Sequence, residues 1–308
     1  MSRNDSGAAS AVNVHATHGG EHVSPDAPAT VFPRPLPRAR LRGAPDAAAR
    51  GIGMRGYDLW NDYEVAWLDM HERPQIAVLE IVIPCDSPFT LEMSDARRYL
   101  STLRELRFES AQALEAHVAG ALTHCLKSYV LVRATPVRQA VRATCGGEPD
   151  AVSLDTEPGG VVRGGVQASL LRIVHDAGGA GIAGIAGNGG NAGNADPGLA
   201  TLFHERLSSD LLSSRCPLTG GIDLGTLWID YTGARICRQT LLAYVLSFRD
   251  SEMFHEQCVE TVFIDLLAQC APTRLTVGAR FTRRHGLDIN PVRSTHAISI
   301  RNVRTVRQ

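Results

Sequence analysis

The sequence predicts an α+β fold made of two modules, each of which lays a pair of helices on an antiparallel sheet. Two observations lead to this prediction. A strand-like segment is followed by two helical segments and a further strand, and this plan occurs once in each half of the chain. Between the halves lies a stretch, residues 177–198, composed almost entirely of Gly, Ala, Asn and Ile, which is typical of flexible connections.

In the first module, order is expected to begin near Tyr57. The apolar block 63–70 precedes the β-branched run 76–83, which predicts a buried strand. Two helices follow, because apolar residues recur on one face of each. These residues are Ala96, Tyr99, Leu100 and Leu103 in the first helix, and Leu114, Val118, Leu122 and Leu126 in the second. A strand returns at residues 129–132.

The second module shows the same plan. Residues 227–231, Leu-Trp-Ile-Asp-Tyr, are predicted to form a strand, and residues 240–248 and 253–270 have the pattern of helices. The longer helix is indicated by apolar residues four apart: Phe254, Cys258, Val262, Leu266 and Cys270. A last strand is predicted where Leu275, Val277, Ala279 and Phe281 alternate with polar residues.

Domain boundaries follow changes in composition along the 308 residues, which are enough for one large or two small cores. Residues 1–50 are rich in Ala, Pro, Ser, Gly and Arg, so we expect a disordered tail that cannot bury enough apolar surface to order itself. The N-terminal module is expected at 51–176, the linker or insert at 177–198, and the C-terminal module at 199–308.

Charge and cysteine usage exclude several classes of protein. The formal net charge of −1 argues against a protein that binds nucleic-acid backbone, which would have a basic excess. The seven cysteines are scattered and lack CxxC pairs, which favours reduced thiols. No apolar run has the length needed to span a membrane, and the N-terminus lacks the apolar core of a secretory signal. We therefore expect a soluble, cytoplasmic protein.

The segment Cys216-Pro217-Leu218-Thr219-Gly220-Gly221-Ile222-Asp223 is the first candidate for chemistry. A cysteine held on a turn is a plausible nucleophile as the thiolate, and a nearby protonated carboxyl can deliver a proton to the group that the thiolate attacks. Taken alone, Cys216 is more often a small packed residue and Asp223 a turn or capping residue. The residues by themselves leave both interpretations open.

The same segment resembles a family motif of approximately Cys-Pro-x-Thr-x-Gln-Pro-Asp, with Gly221 and Ile222 in place of the Gln-Pro pair. Further matching segments follow in order over roughly the last hundred residues: Ser247-Phe248-Arg249, Phe254-His255-Glu256-Gln257-Cys258-Val259-Glu260, Thr282-Arg283-Arg284, Gly286-Leu287-Asp288-Ile289-Asn290-Pro291 and Val306-Arg307-Gln308. Together they are similar to the NADPH-dependent 7-cyano-7-deazaguanine reductases, the nitrile reductases of queuosine biosynthesis.

This resemblance implies two tandem tunnelling-fold modules and a homodimer that associates through sheet edges. It implies that Cys216 adds to the nitrile carbon to give a covalent thioimide, and that Asp223 supplies protons to the nitrogen. Two NADPH molecules would be used per turnover and no metal would be needed. The chain also lacks a tight Cys/His cluster with ligand spacing and a P-loop.

The resemblance also implies the binding residues. His255 and Glu256 would hold the deazaguanine, since a carboxylate has two acceptor oxygens for adjacent N–H donors, although a first-turn glutamate is also favoured by the helix dipole alone. Residues 92–99 resemble a second family signature, in which Glu92 and Tyr99 match while Met93 and Ser94 depart from it. By position, the substrate would contact Leu91, Glu92 and Met93, and NADPH would contact Met93, Ser94, Arg284 and His285.

Two other functions stay open at this point. One is a cyclohydrolase-like enzyme acting on a purine or pterin, which the absence of a metal-ligand cluster disfavours. The other is a non-catalytic protein that binds a deazapurine or purine, which the altered 92–99 signature leaves possible.

Overall fold

A computed structural model describes residues 32–41, 53–137, 139–140, 150–160, 162–174, 202–299, 302–305 and 308. The predicted linker at 177–198 lies outside these residues, as does most of the predicted tail. Within the described residues, helices lie on a mostly antiparallel sheet, and the α+β class is confirmed. The division into two tandem modules stays a prediction.

Most strands belong to one eight-stranded sheet with the order β5-β3-β2-β10-β9-β8-β7-β6, while β1 and β4 form a separate antiparallel pair. Neighbours in the large sheet are antiparallel except β6 and β7. The strands are β1 Pro35–Pro37, β2 Arg55–Leu68, β3 Pro74–Pro84, β4 Phe89–Leu91, β5 Leu131–Pro136, β6 Val152–Ser153, β7 Phe203–Arg215, β8 Ile222–Gly233, β9 Arg274–Phe281 and β10 Leu287–Ser294.

Two pairs of helices cover the sheet, one pair in each half. The helices are α1 Arg38–Leu41, α2 Met93–Thr102, α3 Ala111–Leu126, α4 Arg238–Leu246 and α5 His255–Cys270. The apolar faces of α2 and α3 form one core cluster with β2, β3 and β5, and those of α4 and α5 form another with β8 and β9. None of the described helices is long and apolar enough to cross a membrane.

The two halves are joined where β2 pairs with β10. The ladder runs from Asp62 opposite Leu287 to Arg55 opposite Ser294. Because side chains alternate along a strand, one face of this seam adds Trp60 and Ile289 to the core under α2 and α3. The other face forms a smaller cluster of Tyr57, Leu59, Val82 and Val292. The sheet is therefore continuous across the two halves.

Element boundaries differ from the predicted ones for local reasons. The predicted helix 253–270 begins at His255, because the Phe254 N–H donates to the Gln257 side chain and Phe254 becomes the N-cap. The predicted helix 240–248 is α4, which ends at Leu246 and continues as a 3-10 turn, Ser247–Asp250. The strand predicted at 129–132 begins at Leu131.

Part of the predicted tail has a defined structure. β1 pairs with β4, and α1 follows it directly. Arg38 is buried in this segment and donates from Nη2 to the Asp58 carboxylate at 2.6 Å. The composition of residues 1–50 predicts disorder because it contains little apolar surface, whereas this segment is held by an ion pair whose partner lies 20 residues away. The exact domain boundaries stay predictions.

Gly56 in β2 is a position where the seam requires glycine. Its φ is +140°, and an added Cβ would lie 2.0 Å from the Val292 carbonyl oxygen of β10. We expect Gly56→Ala to lower the free energy of unfolding by roughly 2–6 kcal/mol, because backbone strain and overpacking each cost about 1–3 kcal/mol. Urea unfolding followed by circular dichroism measures this change.

Gly53 is the matched control, since an added Cβ there meets nothing within 4 Å. Gly53→Ala should change the free energy of unfolding by less than about 0.5 kcal/mol. Equal midpoints for the two variants would show that the close approach of Gly56 to β10 does not constrain the seam.

Candidate active site

Cys216 lies at the tip of the hairpin formed by β7 and β8. Its N–H donates to the Gly221 carbonyl at 2.8 Å, and its own carbonyl accepts from the Gly220 N–H at 2.8 Å. Gly220 has a φ of +66°, a left-handed conformation that glycine adopts without strain. The Cys216 backbone is thus fixed while its side chain stays partly exposed.

The other cysteines of the C-terminal half differ in their surroundings. Burial raises the pKa of the Cys258 thiol to about 12 and that of the Cys270 thiol to about 11. Because only the thiolate is a good nucleophile, neither is suited to attack a substrate near neutral pH. Cys216 and Cys237 are the partly exposed cysteines among the described residues of this half, and Cys216 is the one on a turn.

The hairpin is tied to the segment that leads into α5. The Arg215 N–H donates to the Ser251 carbonyl at 2.9 Å, and the Arg215 carbonyl accepts from the Met253 N–H at 3.0 Å. These bonds form a parallel bridge between Arg215 and Glu252. They bring the first turn of α5, with His255 and Glu256, next to the start of β8.

Asp223 is buried at the start of β8, where its Oδ1 lies 3.4 Å from His255 Nε2 and 3.1 Å from Arg284 Nη1. These distances allow ion pairing, but the angles do not make hydrogen bonds: Asp223 Oδ1 and His255 Nε2 are both buried without a hydrogen-bond partner. Buried polar atoms are rarely left unpaired in native proteins. The two atoms therefore mark a place where a polar ligand can complete the bonding.

The orientation of His255 is fixed by packing. Its ring lies 4.2 Å from that of Phe281 in β9, between centroids, with 47° between the ring planes. The Gln257 side chain accepts from the Phe254 N–H at 2.9 Å and holds the helix start. Because the imidazole and the backbone are both held, Nε2 stays directed toward Asp223.

Glu256 is almost fully buried, and its Oε1 accepts from the Thr90 hydroxyl at 3.2 Å. Burial and the negative charge of Asp58 raise the pKa of Glu256, against the opposing charges of Arg38 and His255. Thr90 belongs to β4, so this bond joins the two halves of the chain at the candidate site. Sequence reasoning missed Thr90, because no local pattern relates it to a partner 166 residues away.

The predicted residues that follow β4 have mixed environments. Glu92 is the N-cap of α2 and accepts from the Asp95 N–H at 2.9 Å and from the Ser94 hydroxyl at 2.7 Å. Leu91 is buried in the core under α2 and α3, and Met93 packs against the same core. Ser94 is exposed. The structure therefore places Glu92 and Ser94 at the surface where β4 ends, while Leu91 is part of the packing.

Arg284 and His285 form the turn between β9 and β10. Arg284 donates from Nη2 to the Ile222 carbonyl at 2.6 Å, so its guanidinium lies over the turn that carries Asp223. An added Cβ at Gly221 would be 2.7 Å from Nη2, so any larger residue there would require the Arg284 guanidinium to shift. His285 is exposed and has a φ of 50°, a left-handed conformation that glycine adopts without strain.

Two more arginines lie near this turn. The guanidiniums of Arg283 and Arg304 lie over the Tyr63 ring, at 4.9 and 4.5 Å from its centroid. Among the described residues, no group of three or more His, Cys, Asp or Glu side chains has a metal-binding arrangement. The charged donors around the β9–β10 turn are therefore guanidiniums, which suit anionic groups.

Comparison with known proteins identifies the family. The model of "Nitrile reductase, 7-cyano-7-deazaguanine-reductase N-term" matches residues 27–134, and that of "QueF-like protein" matches residues 222–299. A "NADPH-dependent 7-cyano-7-deazaguanine reductase" of Xanthomonas campestris pv. campestris (strain 8004) is 38% identical over 274 residues, which cover 87% of each chain. The chain belongs to this reductase family. The predicted resemblance is confirmed.

A second relative matches this chain over a larger share of both proteins. The enzyme of the same name from Burkholderia pseudomallei (strain K96243) is 37% identical over 303 residues, 94% of this chain and 99% of that protein. A solved structure, "archaeosine synthase QueF-Like in the apo form", is 17% identical, with a TM-score of 0.29, and covers 33% of this chain and 99% of its own. The first family match includes Leu91–Ser94, and the second includes Asp223, His255, Glu256, Arg284 and His285.

Proposed function

We propose that this protein catalyses the NADPH-dependent reduction of the nitrile of 7-cyano-7-deazaguanine to an aminomethyl group, a step of queuosine biosynthesis. The observation that carries the proposal is the buried pair of Asp223 and His255, whose facing polar atoms lack hydrogen-bond partners beside the hairpin of Cys216. Its relatives of 37–38% identity are named as reductases of this substrate.

The covalent step follows from the chemistry of Cys216. The thiolate adds to the nitrile carbon, so a C–S bond forms, one C–N π bond breaks, and its electron pair goes to nitrogen. Asp223 supplies the proton that the nitrogen takes up, which gives a thioimide. Reduction at the same carbon and loss of the thiolate would give an imine, and a second reduction would give 7-aminomethyl-7-deazaguanine. When bound, NADPH supplies the hydrides, one from each of two molecules.

The base of the substrate would be held at the junction of β4 and α5. Glu256 has two acceptor oxygens, of which Thr90 uses one lone pair, and the carboxylate can accept from adjacent N–H donors of a guanine-like edge. His255 would contact the substrate through Nε2. Leu91, Glu92 and Met93 would line the same pocket from the N-terminal half.

The arginine side chains around the β9–β10 turn carry N–H donors that match the phosphate oxygens of NADPH. Arg284 has a partly exposed guanidinium, and Arg283 is exposed beside it on the Tyr63 ring. Guanidiniums present paired donors that match phosphate oxygens. We propose Arg284 and His285 as cofactor contacts on this side, and Met93 and Ser94 on the side of α2.

For the whole molecule we propose tandem tunnelling-fold modules, a homodimer joined through sheet edges, and a cytoplasmic location. Two features support the assembly. Among the described strands, β5 is the outer strand at one edge of the sheet, and β6 covers little of β7 at the other. Unpaired strand edges are surfaces through which chains can associate.

The test is to mix the protein with 7-cyano-7-deazaguanine and NADPH. Loss of NADPH absorbance in a two-to-one ratio to the amine product supports the reductase. A nitrile adduct that forms without NADPH consumption would indicate a non-catalytic binding protein. Release of formate from a purine or pterin nucleotide, with no nitrile reduction, would indicate a cyclohydrolase.

The first prediction concerns Cys216→Ala. The variant should fold normally and form no covalent adduct, because the thiol that attacks the nitrile is absent. Mass spectrometry of the intact protein after incubation with the nitrile measures the adduct. Cys237→Ala, at the other partly exposed cysteine of this half, should keep the adduct. An adduct on Cys216→Ala would refute the assignment.

The second prediction concerns Asp223→Asn. Proton donation typically contributes roughly a hundredfold to ten-thousandfold to rate, so turnover should fall on that scale while folding is unchanged. Steady-state kinetics measures the change. Asp230→Asn, on the same strand but paired with His204 and Arg206 away from the site, is the control. Turnover of Asp223→Asn close to that of the control would place the proton donor elsewhere.

The third prediction concerns Glu256→Gln. Glutamine offers one acceptor and one donor, so its donor would face a donor of the base inside a buried pocket. The loss should be on the order of 2–4 kcal/mol, or roughly thirtyfold to a thousandfold in nitrile affinity, with NADPH affinity little changed. Titration calorimetry with each ligand measures both, and Glu252→Gln, an exposed residue before α5, is the control. Unchanged nitrile affinity would mean that Glu256 only supports the helix start.

A further inference from the structure

A chain of four buried charges lies beneath the first turn of α5. Arg38 donates to Asp58 at 2.6 Å, Asp58 pairs with Arg293 at 2.7 Å, and Arg293 donates to Glu260 at 2.8 Å. All four side chains are buried. We call Arg38, Asp58, Arg293 and Glu260 the buried charge chain. Its residues come from α1, β2, β10 and α5, so it links four elements that are distant in sequence.

Charge counting shows what the buried charge chain does for Glu256. Its two arginines and two carboxylates balance each other, and the two arginines hold the pKa of Asp58 low against the effect of burial. Glu256 lies one helical turn before Glu260 and adds a further negative charge. Among the groups facing Glu256, Asp58 disfavours this charge, and Arg38 and His255 favour it. Arg38 is therefore the cation from outside α5 that offsets Asp58.

The segment that carries Arg38 also touches both sides of the proposed base pocket. β1 pairs with β4, where Leu36 lies opposite Thr90. The Arg38 N–H donates to the Pro88 carbonyl at 3.0 Å, and its Nε donates to the Ser87 hydroxyl at 3.0 Å. On the other side, the Gln257 side chain donates to the Leu41 carbonyl of α1. One short segment thus holds the strand of Thr90 and the helix of Glu256 together.

We propose that Arg38 is a positioning residue for substrate binding, which holds the Glu256 carboxylate in register with Thr90 across the two halves of the chain. This proposal rests on the proposed function, because it assigns a role to Arg38 in the pocket for the deazaguanine base. Arg38 touches neither the substrate nor the cofactor in this scheme. It acts through its positive charge near Glu256, its contacts with Asp58 and Ser87, and its bond to the Pro88 carbonyl just before β4.

The proposal has a consequence for pH that a purely structural role lacks. Base binding needs the ionised form of Glu256, so affinity is lost as pH falls through the raised pKa of Glu256. Removing the positive charge of Arg38 raises that pKa further and moves the loss of affinity to higher pH. Removing the negative charge of Asp58 lowers the pKa and moves the loss to lower pH. The other charged or titratable groups nearby, which are His255, Asp223, Cys258, Arg293 and Glu260, are kept in both variants. Arg293 loses one of its two carboxylate partners in Asp58→Asn and keeps Glu260.

The experiment measures the Kd for 7-cyano-7-deazaguanine between about pH 5 and pH 9. The parent is the full chain with Cys216→Ala, which removes covalent capture and the titration of Cys216 from the profile. We expect Arg38→Gln to weaken binding about tenfold at pH 7. The pH at which affinity is lost on acidification should rise by about one unit in this variant and should fall in Asp58→Asn. Arg40→Gln, at an exposed arginine two residues away, should match the parent.

Each outcome decides the proposal. Opposite shifts for Arg38→Gln and Asp58→Asn support it, whereas shifts in the same direction, or an Arg38→Gln profile like that of Arg40→Gln, overturn it. Where Arg38→Gln does not fold, Arg38→Lys is measured instead. Weaker binding with no change in the pH at which affinity is lost on acidification supports the proposal, and a change in that pH overturns it. A parent that binds no nitrile at any pH would instead refute the base pocket of the proposed function.

Discussion

The pairing of β2 with β10 is the contact on which the candidate site depends. β4 follows β2 and β3 in the N-terminal half, and α5 precedes β9 and β10 in the C-terminal half. The ladder between β2 and β10 places these parts side by side, so that the Thr90 hydroxyl reaches Glu256. The hairpin of Cys216 and Asp223 is then added from the C-terminal half through its bonds to the segment before α5. The candidate site is thus a product of the seam and belongs to neither half alone.

The buried ion pairs near this seam are better explained by specificity than by stability. Taking charges out of water costs several kcal/mol per ion, and mutual attraction offsets this only when the geometry is good. Arg293 meets both Asp58 and Glu260, and Arg38 meets both Asp58 and Ser87. Apolar side chains would allow α5 to pack against β2 and β10 in more than one register, whereas the paired charges can form in one register. The register of α5 against β2 and β10 is what sets the position of Glu256.

Local periodicity explains how much of the fold the sequence could predict. The helices α2 to α5 and the strands β3, β8 and β9 follow from apolar residues that repeat with the helical or strand period, and this information is local. β7 was not predicted, because Ser208, Ser209 and Ser213 give it the composition of a polar loop. β1 and α1 were not predicted either, since their order depends on the pairing of Arg38 with Asp58.

The residues of the candidate site also divide into those that local sequence predicts and those that only the fold brings together. Cys216, Asp223, His255 and Glu256 lie in short motifs, so their chemistry and resemblance could be read from neighbouring residues. The roles of Thr90 and Arg38 depend on contacts between segments that the fold alone brings together. Arg284 is an intermediate case. Its motif predicted an anion contact. The structure shows in addition that Gly221 leaves room for the Arg284 guanidinium over the turn, a contact that the local sequence does not predict.

The seam has a further consequence for the order of events on the ribosome. Asn61 of β2 and its partner Asp288 of β10 are 227 residues apart, and translation at about 5–20 residues per second needs roughly 10–45 s to cover that distance. During this interval one edge of β2 has no partner, and apolar residues such as Leu59 and Trp60 are not yet covered by the C-terminal half. An open strand edge of this kind invites pairing with other chains. The N-terminal half is therefore the part of the nascent chain that most needs protection from aggregation until synthesis is complete.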